Sequence, residues 1–533
     1  MTQMISKLTD VDRRRVEAVI ARYTERLWRA RGFVGARPGF PVRNGALVRQ
    51  PAIIAFVRAK MDDGFLEGDE ALPSDLDGIP VDVVVADPQT ELELRTGQQG
   101  IDPLSASFAD PTYEGLPGDP IDLAVQVDRP VLCHVGPDSG WVVLRDFIAA
   151  ARESLTAAIY DFDGEHIAES LIETSQAHGL PIKLAIDDSI NDEKELPVQR
   201  RLKLRLQDSY DPQTVFCRSG ARFPSAYHEK VLVRDGSSFW LSSGNWTRSS
   251  QPELDPVNNP DDAPGMYSKG NREWHVVVEN EELSDLFARY IEHDRVTAQD
   301  DASHAFAPPV EYPDVFVPLA ALLDETEAAA LAAPVPVAPQ LLPAAGAFTV
   351  RPLLSPDNYA RRVRELIESA AERLYLQYSY ITWTAADRDR DFREVLEHLA
   401  ELSWRDADEF DLRIIVNSRD AAQKVRVLAE NGFNEAVFGR QSRIHNKGII
   451  ADGKRVLVSS QNWSGDGFLR NRDAGVIIDN PEVAQYYEAI FLDDWDKRTK
   501  PALADGLTAR LAIPGEQPPR GMVRLSWQEY FGD

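Results

Sequence analysis

The pattern H-x-K-x-x-x-x-D occurs twice in this chain, from His228 through Lys230 to Asp235 and from His445 through Lys447 to Asp452, 217 residues apart. Lys is scarce, with 12 among 58 basic residues, so a motif that demands it rarely recurs by chance. At the same offset follow Ser242-Ser243-Gly244-Asn245-Trp246 and Ser459-Ser460-Gln461-Asn462-Trp463. Asn271-Arg272-Glu273 and Asn471-Arg472-Asp473 come next, 200 residues apart. Upstream, Leu144, Phe147, Ile148, Ala151 and Leu155 match Val363, Leu366, Ile367, Ala370 and Leu374 at an offset of 219, each set on one helix face. A unit present twice confines the chain to a folded pair.

Each unit alternates helix with apolar strand. After its first helix come Thr156–Tyr160 and Ile182–Ile186 in one copy, Tyr375–Tyr378 and Leu412–Val416 in the other. This alternation predicts an α/β fold with mostly parallel, buried sheets covered by helices. With 533 residues the chain exceeds one core. It divides into a small N-terminal α/β module (1–97), a linker (98–128), a first repeat domain (129–319), an Ala/Pro-rich linker (320–347), a second repeat domain (348–500) and a C-terminal tail (501–533).

Side chains two apart on a strand share a face, so His228 and Lys230 project together, as do His445 and Lys447. Asp235-Gly236 and Asp452-Gly453 are hairpin-turn signals. Each motif therefore reads as strand, tight turn and return strand, which brings Ser and Asn back beside the His-Lys face. Two imidazoles flanking one phosphodiester supply a nucleophile and a proton donor. Two lysines and two asparagines support the phosphoryl oxygens.

On these paired motifs the sequence, over roughly residues 130–500, resembles the phospholipase D superfamily. The resemblance implies two pseudo-twofold-related α/β/α sandwich domains with one active site at their junction, and a covalent phosphohistidine resolved by water or an alcohol. Its catalytic set maps onto His228, Lys230, Asp235, His445, Lys447 and Asp452. Family precedent makes His228 the nucleophile and His445 the general acid, an order that two identical motifs do not themselves fix. Asn245, Asn462, Ser243 and Ser460 are the expected phosphate-binding residues, with Ser-Ser where many members have Gly-Ser. Glu273 and Asp473 are expected to hold the far imidazole nitrogens, and Asp235 and Asp452 to anchor the hairpins. Asn462–Asp466 looks like members that degrade nucleic acid from an end. Residues 251–269, an insertion in the first copy, read as a lid or specificity loop. Arg272 and Arg472 read equally as substrate ligands or surface ion pairs. Trp246 and Trp463 read as core more than as stacking platforms. His134, His166, His178, His275, His293, His304 and His398 lack the pattern and read as structural.

The charge balance, 58 Lys and Arg against 86 Asp and Glu, repels nucleic acid and anionic membranes at long range. Phosphate chemistry then calls for a local basic site. Around the motifs the balance reverses, with five basic against two acidic residues in 218–248 and seven against three in 440–473. No metal motif occurs and no metal or other cofactor is called for. Two cysteines, Cys133 and Cys217, point to a reducing, cytoplasmic compartment, and no run spans a bilayer. Gly39–Val85 resembles a small module found ahead of bacterial trypsin-like proteases, but no Gly-Asp-Ser-Gly motif follows. That module reads as a partner-docking or regulatory element. The expected activity is phosphodiester hydrolysis, with single-stranded nucleic-acid ends as substrate. The alternatives are a phospholipase D acting on phospholipid headgroups and an inactive phosphate-binding protein.

Overall fold

The computed structural model describes residues 7–60, 70–97, 109–116, 118, 121–188, 195–301, 310–320, 335–504 and 508–531. Residues 98–108 of the first linker, the Ala/Pro run before residue 335, the acidic stretch Asp324–Glu327 and His304 lie outside the described residues.

Each repeat builds one large sheet. The first runs in the order Tyr210–Val215, Ile182–Asp187, Leu155–Ile159, Lys230–Arg234, Ser238–Ser242, Glu273–Glu279, Val131–Gly136 and Gln340–Leu342. The second runs Lys500–Pro501, Phe438–Gln441, Asp411–Asn417, Arg373–Tyr378, Lys447–Ala451, Arg455–Ser459, Asp473–Asp479, Phe348–Ser355 and Val125–Val127. Apart from the terminal pair 500–501, the orders correspond strand for strand. The expected predominance of parallel pairing is corrected. Helical crossovers make three strands of each repeat parallel, and every other pairing is antiparallel. The Asp-Gly hairpins dictate this, because a two-residue turn reverses the chain.

Two segments assigned to linkers are strands, and they are exchanged. Val125–Val127 precedes the first repeat yet pairs with Phe348–Val350 at the edge of the second sheet. Gln340–Leu342 precedes the second repeat yet pairs with Val131–Cys133 at the edge of the first. Both edges are thereby covered by chain from outside their own repeat.

The helices Gly140–Ala149 and Tyr359–Glu368 bury Leu144, Phe147 and Ile148 in one and Val363, Leu366 and Ile367 in the other, but the expected face is too long: Ala151 and Ala370 lie past the helix ends, and Leu155 and Leu374 belong to the strands that follow. These faces belong to two outer cores. A third core lies between the repeats and is built from both, with Val231, Trp274 and Val276 beside Ile444, Ile450, Val458 and Tyr487.

In the N-terminal module the strands Ala52–Val57 and Ile79–Val85 lie side by side and parallel. Its first helix, Asp10–Arg22, is followed by a short second one, Thr24–Trp28. The module sits on the second repeat: Glu430 accepts from the Phe40 amide at 3.0 Å, and Arg49 pairs with Glu435 at 2.6 Å. The segment read as a tail is structured. Arg510–Leu511 and Met522–Leu525 flank Val315–Pro318, and the helix Trp527–Phe531 packs with Leu92 of the module.

Arg272 and Arg472 are neither surface residues nor open to substrate. Arg272 donates to both oxygens of Asp494 at 2.9 and 3.2 Å and to Asp138 at 2.7 Å. Arg472 donates to both oxygens of Asp294 at 2.8 and 3.1 Å and to Asp357 at 2.8 Å. Each guanidinium thus joins an Asp of its own repeat to one on the last helix of the other, Glu281–Asp301 or Pro481–Arg498. Arg472 meets a further acid, Glu229, at 3.2 Å.

Burial pushes Glu229 up to about 8, Arg472 opposes this, and Asp294, Asp473 and Asp357 add to it. In the unfolded chain a Glu ionises near pH 4.5, so folding takes up a proton on Glu229 between about pH 4.5 and about 8. Stability then falls as pH rises through that window. Glu229→Gln is expected to gain stability over wild type as pH goes from 5 to 8 in urea titrations. A difference that stays flat or shrinks with rising pH would contradict a protonated Glu229.

Candidate active site

Both motif strands run from histidine at the domain junction to aspartate at a distant turn. Asp235 and Asp452 take φ of 53° and 55°, followed by Gly236 and Gly453 at 63° and 60°, the left-handed pair of a tight hairpin. The Asp235 carboxylate accepts from the amides of Arg152, Glu153 and Ser154 at 2.7–3.1 Å. Asp452 accepts from Ala371, Glu372 and Arg373 at 2.8–3.1 Å. The motif aspartates therefore anchor hairpin to helix-end loop. Of the expected catalytic set, the structure brings together the histidines and lysines and places these two elsewhere.

The histidines are held across the junction. The His228 amide donates to the Arg472 carbonyl at 2.6 Å, and the His445 amide to the Arg272 carbonyl at 3.1 Å. His228 Nδ1 lies 2.7 Å from Asp473 Oδ1, and His445 Nδ1 lies 2.9 Å from Glu273 Oε1. Each orienting carboxylate thus serves the histidine of the other repeat, a crossing that the identical motifs do not reveal. Gly244 permits the longer acid: a Cβ there would fall 1.7 Å from Glu273 Oε2.

Lys230 Nζ donates to the His228 carbonyl at 2.8 Å, 5.0 Å from the centre of the Tyr160 ring. Lys447 Nζ lies 2.9 Å from His445 Nε2 and 3.1 Å from the Ser243 carbonyl. Burial lowers both imidazoles well below the usual histidine range, and the charges of both lysines lower them further. Lys230 is itself pulled down by burial and by Lys447. The four groups therefore share one field, with neutral imidazoles facing two amines in a dry site.

Asn245 has both side-chain polar atoms buried without a protein hydrogen-bond partner, and Asn462 Oδ1 and His228 Nε2 are in the same position. The serines expected on phosphate are placed one layer back. Ser460 Oγ donates to Asp473 at 2.6 Å and accepts from the Ala474 amide at 3.0 Å, while Ser243 Oγ accepts from the Trp274 amide at 3.1 Å.

The expected basic surround is largely neutralised. Arg470 pairs with Asp466 and Asp389, and Arg218 with Asp188. Trp246 and Trp463 are buried in the outer cores and offer no stacking face. The 251–269 insertion is anchored: Tyr267 Oη accepts from Arg272 at 3.0 Å, and Met266 is fully buried. Sequence reading missed Tyr160, whose ring packs edge-on against His228 at 4.6 Å between centroids. Its place at the end of a motif-paired strand was the available signal. Among the described residues, Asp187, Asp188 and Cys217 bring potential ligand atoms within 4.8 Å of one another. Arg218 and the amides of Cys217 and Tyr227 already engage both carboxylates.

Burial pushes Asp473 up to about 7. Below that pH its carboxyl proton faces His228 Nδ1. Above it, the carboxylate accepts a hydrogen bond from the Nδ1 N–H, which stays on the ring and leaves Nε2 with a lone pair. The rate kcat/KM on an aryl phosphodiester is expected to rise with pH through about 7. Asp473→Asn should remove that limb and cost about 10²-fold or more in rate. A limb retained at the same pH in Asp473→Asn would reject this assignment.

The family described as cardiolipin synthase, PLD-like domain matches residues 144–295 and 363–495, more than half of the chain. Among curated protein sequences there is no significant match. Of solved structures, phosphatidylserine synthase of Haemophilus influenzae shares 14% identity at a TM-score of 0.46, covering 72% of this chain and 89% of that one. Nuc of Salmonella typhimurium, a phospholipase D family member, shares 20% identity at a TM-score of 0.25, covering 32% and 94%. NucT of Helicobacter pylori shares 16% identity at a TM-score of 0.24, covering 33% and 98%. Both matched segments contain one His-Lys motif strand, and the chain belongs to the phospholipase D superfamily.

Proposed function

We propose that this protein hydrolyses phosphodiesters through a phosphohistidine and acts on single-stranded ends of nucleic acid. The observation that carries the chemistry is the pair of buried imidazoles, each with Nδ1 on a carboxylate, sharing a site with two lysines. His228 Nε2 attacks phosphorus, and the bond to the leaving oxygen breaks as His445 gives that oxygen its proton. His445 then takes a proton from water, whose oxygen displaces His228 and returns the enzyme. An entering phosphodiester anion offsets the lysine charges that hold His445 low, so substrate binding raises the proton affinity of the acid. Lys230, Lys447, Asn245 and Asn462 supply the charge and hydrogen bonds for the phosphoryl oxygens.

For the substrate, the supporting feature is the positive charge of Arg419, close enough to His445 to act on its imidazole, which suits a polyanion. A phospholipid headgroup is the second reading, favoured by the lipid synthase named in the family's description. Among the described residues no helix is long and apolar enough to cross a membrane.

The test is activity in excess EDTA on single-stranded DNA, RNA, phosphatidylcholine and bis(p-nitrophenyl) phosphate. Oligonucleotides are expected to shorten from their ends with chelator present. Cleavage of phosphatidylcholine alone would overturn the nucleic-acid reading, and loss of all activity restored by Mg²⁺ would overturn the mechanism. Acid quenching followed by peptide mass spectrometry should find phosphate on the His228 peptide. His445→Ala should cost about 10²–10⁴-fold with an alkoxide leaving group and far less with nitrophenolate. An adduct on the His445 peptide alone would reverse the two roles.

A further inference from the structure

Sequence reads His275 as structural, yet it lies directly behind the pair of Glu273 and His445, two residues along the strand Glu273–Glu279 and so on the same face as Glu273. It is fully buried between His134 and Trp240, whose rings stack on it at 4.7 and 5.7 Å between centroids. Ser242 and His134 are its neighbours on the two flanking strands, and Tyr487 Oη donates to its carbonyl at 2.6 Å. Gly136 and Gly140 pack against its Nε2: a Cβ on either would lie 3.2 Å from that nitrogen.

The groups around the ring fix its tautomer. Burial lowers its pKa to about 3, and the charge of Arg272 adds to this, so the ring is neutral and carries one hydrogen. Ser242 Oγ accepts from the Gly244 amide at 2.7 Å and lies 2.6 Å from His275 Nδ1. With the serine hydrogen donated to Nδ1, the ring hydrogen sits on Nε2. The opposite tautomer leaves the serine hydrogen with no acceptor among the described residues and aims an Nε2 lone pair at a carboxylate. Nε2 has no hydrogen-bond partner among the described residues and faces Glu273 Oε2 at 4.0 Å. That is too long for a hydrogen bond, but in a dry site an N–H dipole at this range favours the charged form of the acid. The other oxygen, Oε1, is the one that holds His445 Nδ1.

The second repeat lacks this arrangement. Its register puts Gly475 opposite Ser459 and Leu353, where the first repeat has His275 opposite Ser242 and His134. A Cβ on Gly475 would fall 2.8 Å from that of Ser459, so no side chain fits there. Of the two orienting carboxylates, Glu273 alone has an imidazole behind it.

We propose that His275 is a positioning residue for the general acid: its Nε2–H keeps Glu273 ionised, and Glu273 in turn stabilises the imidazolium that His445 forms to protonate the leaving oxygen. His228, which attacks as a neutral ring, has glycine in the matching place. The inference rests on the acid role given to His445 above.

The test compares kcat/KM on bis(p-nitrophenyl) phosphate, whose leaving group departs without a proton, and on diphenyl phosphate, whose more basic leaving group takes one. His275→Leu is expected to lose about tenfold or more on diphenyl phosphate and less than about threefold on the nitrophenyl ester, the scale of an outer partner of a working histidine. His275→Gln, which offers an oxygen to Ser242 and an N–H to Glu273, should recover most of that loss. Equal losses on both substrates, no loss on either, or a His275→Gln as selectively impaired as His275→Leu would overturn the proposal. In nitrogen-15 spectra of the full-length protein labelled at histidine, His275→Leu should move the His445 Nδ1 resonance and leave that of His228 in place. An unmoved His445 resonance would overturn the coupling whatever the kinetics. If His445→Ala itself shows no dependence on the leaving group, the acid role falls, and a His445 resonance that still responds to His275→Leu retains the coupling through Glu273.

Discussion

Each motif imidazole is held at two points by the opposite repeat: its backbone amide on an arginine carbonyl, its Nδ1 on the next residue's carboxylate. Arg272-Glu273 and Arg472-Asp473 are each a two-residue clamp. The guanidinium locks a helix of the other repeat, the carbonyl fixes that repeat's histidine backbone, and the carboxylate sets its ring. The inter-repeat core and the exchanged edge strands Val125–Val127 and Gln340–Leu342 hold the two sheets at the spacing this needs. An isolated repeat would keep a His-Lys strand but lose both constraints on the histidine.

The twofold is not perfect, and its departures fall at the site. Asn446 takes the Trp274 amide at 3.1 Å and reaches Gln377 at 3.1 Å, and Gln377 in turn donates to Asp494 at 3.1 Å. The matching positions in the first repeat are Glu229 and Ala158. A neutral bridge is thus replaced by a third acid at Arg472, Glu229, whose proton affinity burial and its acidic neighbours raise. The dyad of His228 with Asp473 sits in this acid-rich shell, while that of His445 with Glu273 has Lys447 on the imidazole. Two identical motifs therefore stand in different surroundings.

The His-Lys face, the Asp-Gly hairpins and the apolar helix faces were legible because strand and helix periodicity are local. Glu273 and Asp473 were legible as partners of histidine, but not which served which, since repeated motifs carry no information about crossing. The roles of Arg272 and Arg472 were hidden because their carboxylates, Asp494 and Asp294, lie far away on helices whose sequence reads as an ordinary charged face. The same distance effect spoiled the count of local charge, as with Arg470 and Arg218. The exchanged edge strands are three residues each, too short for any periodic signal.

The crossed clamp is tested most directly by nitrogen-15 NMR of the full-length protein labelled at histidine, with His228 and His445 assigned by single substitutions. Glu273→Gln is predicted to change the Nδ1 resonance of His445 and leave that of His228 in place. Asp473→Asn is predicted to do the reverse. Substitutions that perturb the histidine of their own repeat, or both histidines equally, would contradict the account.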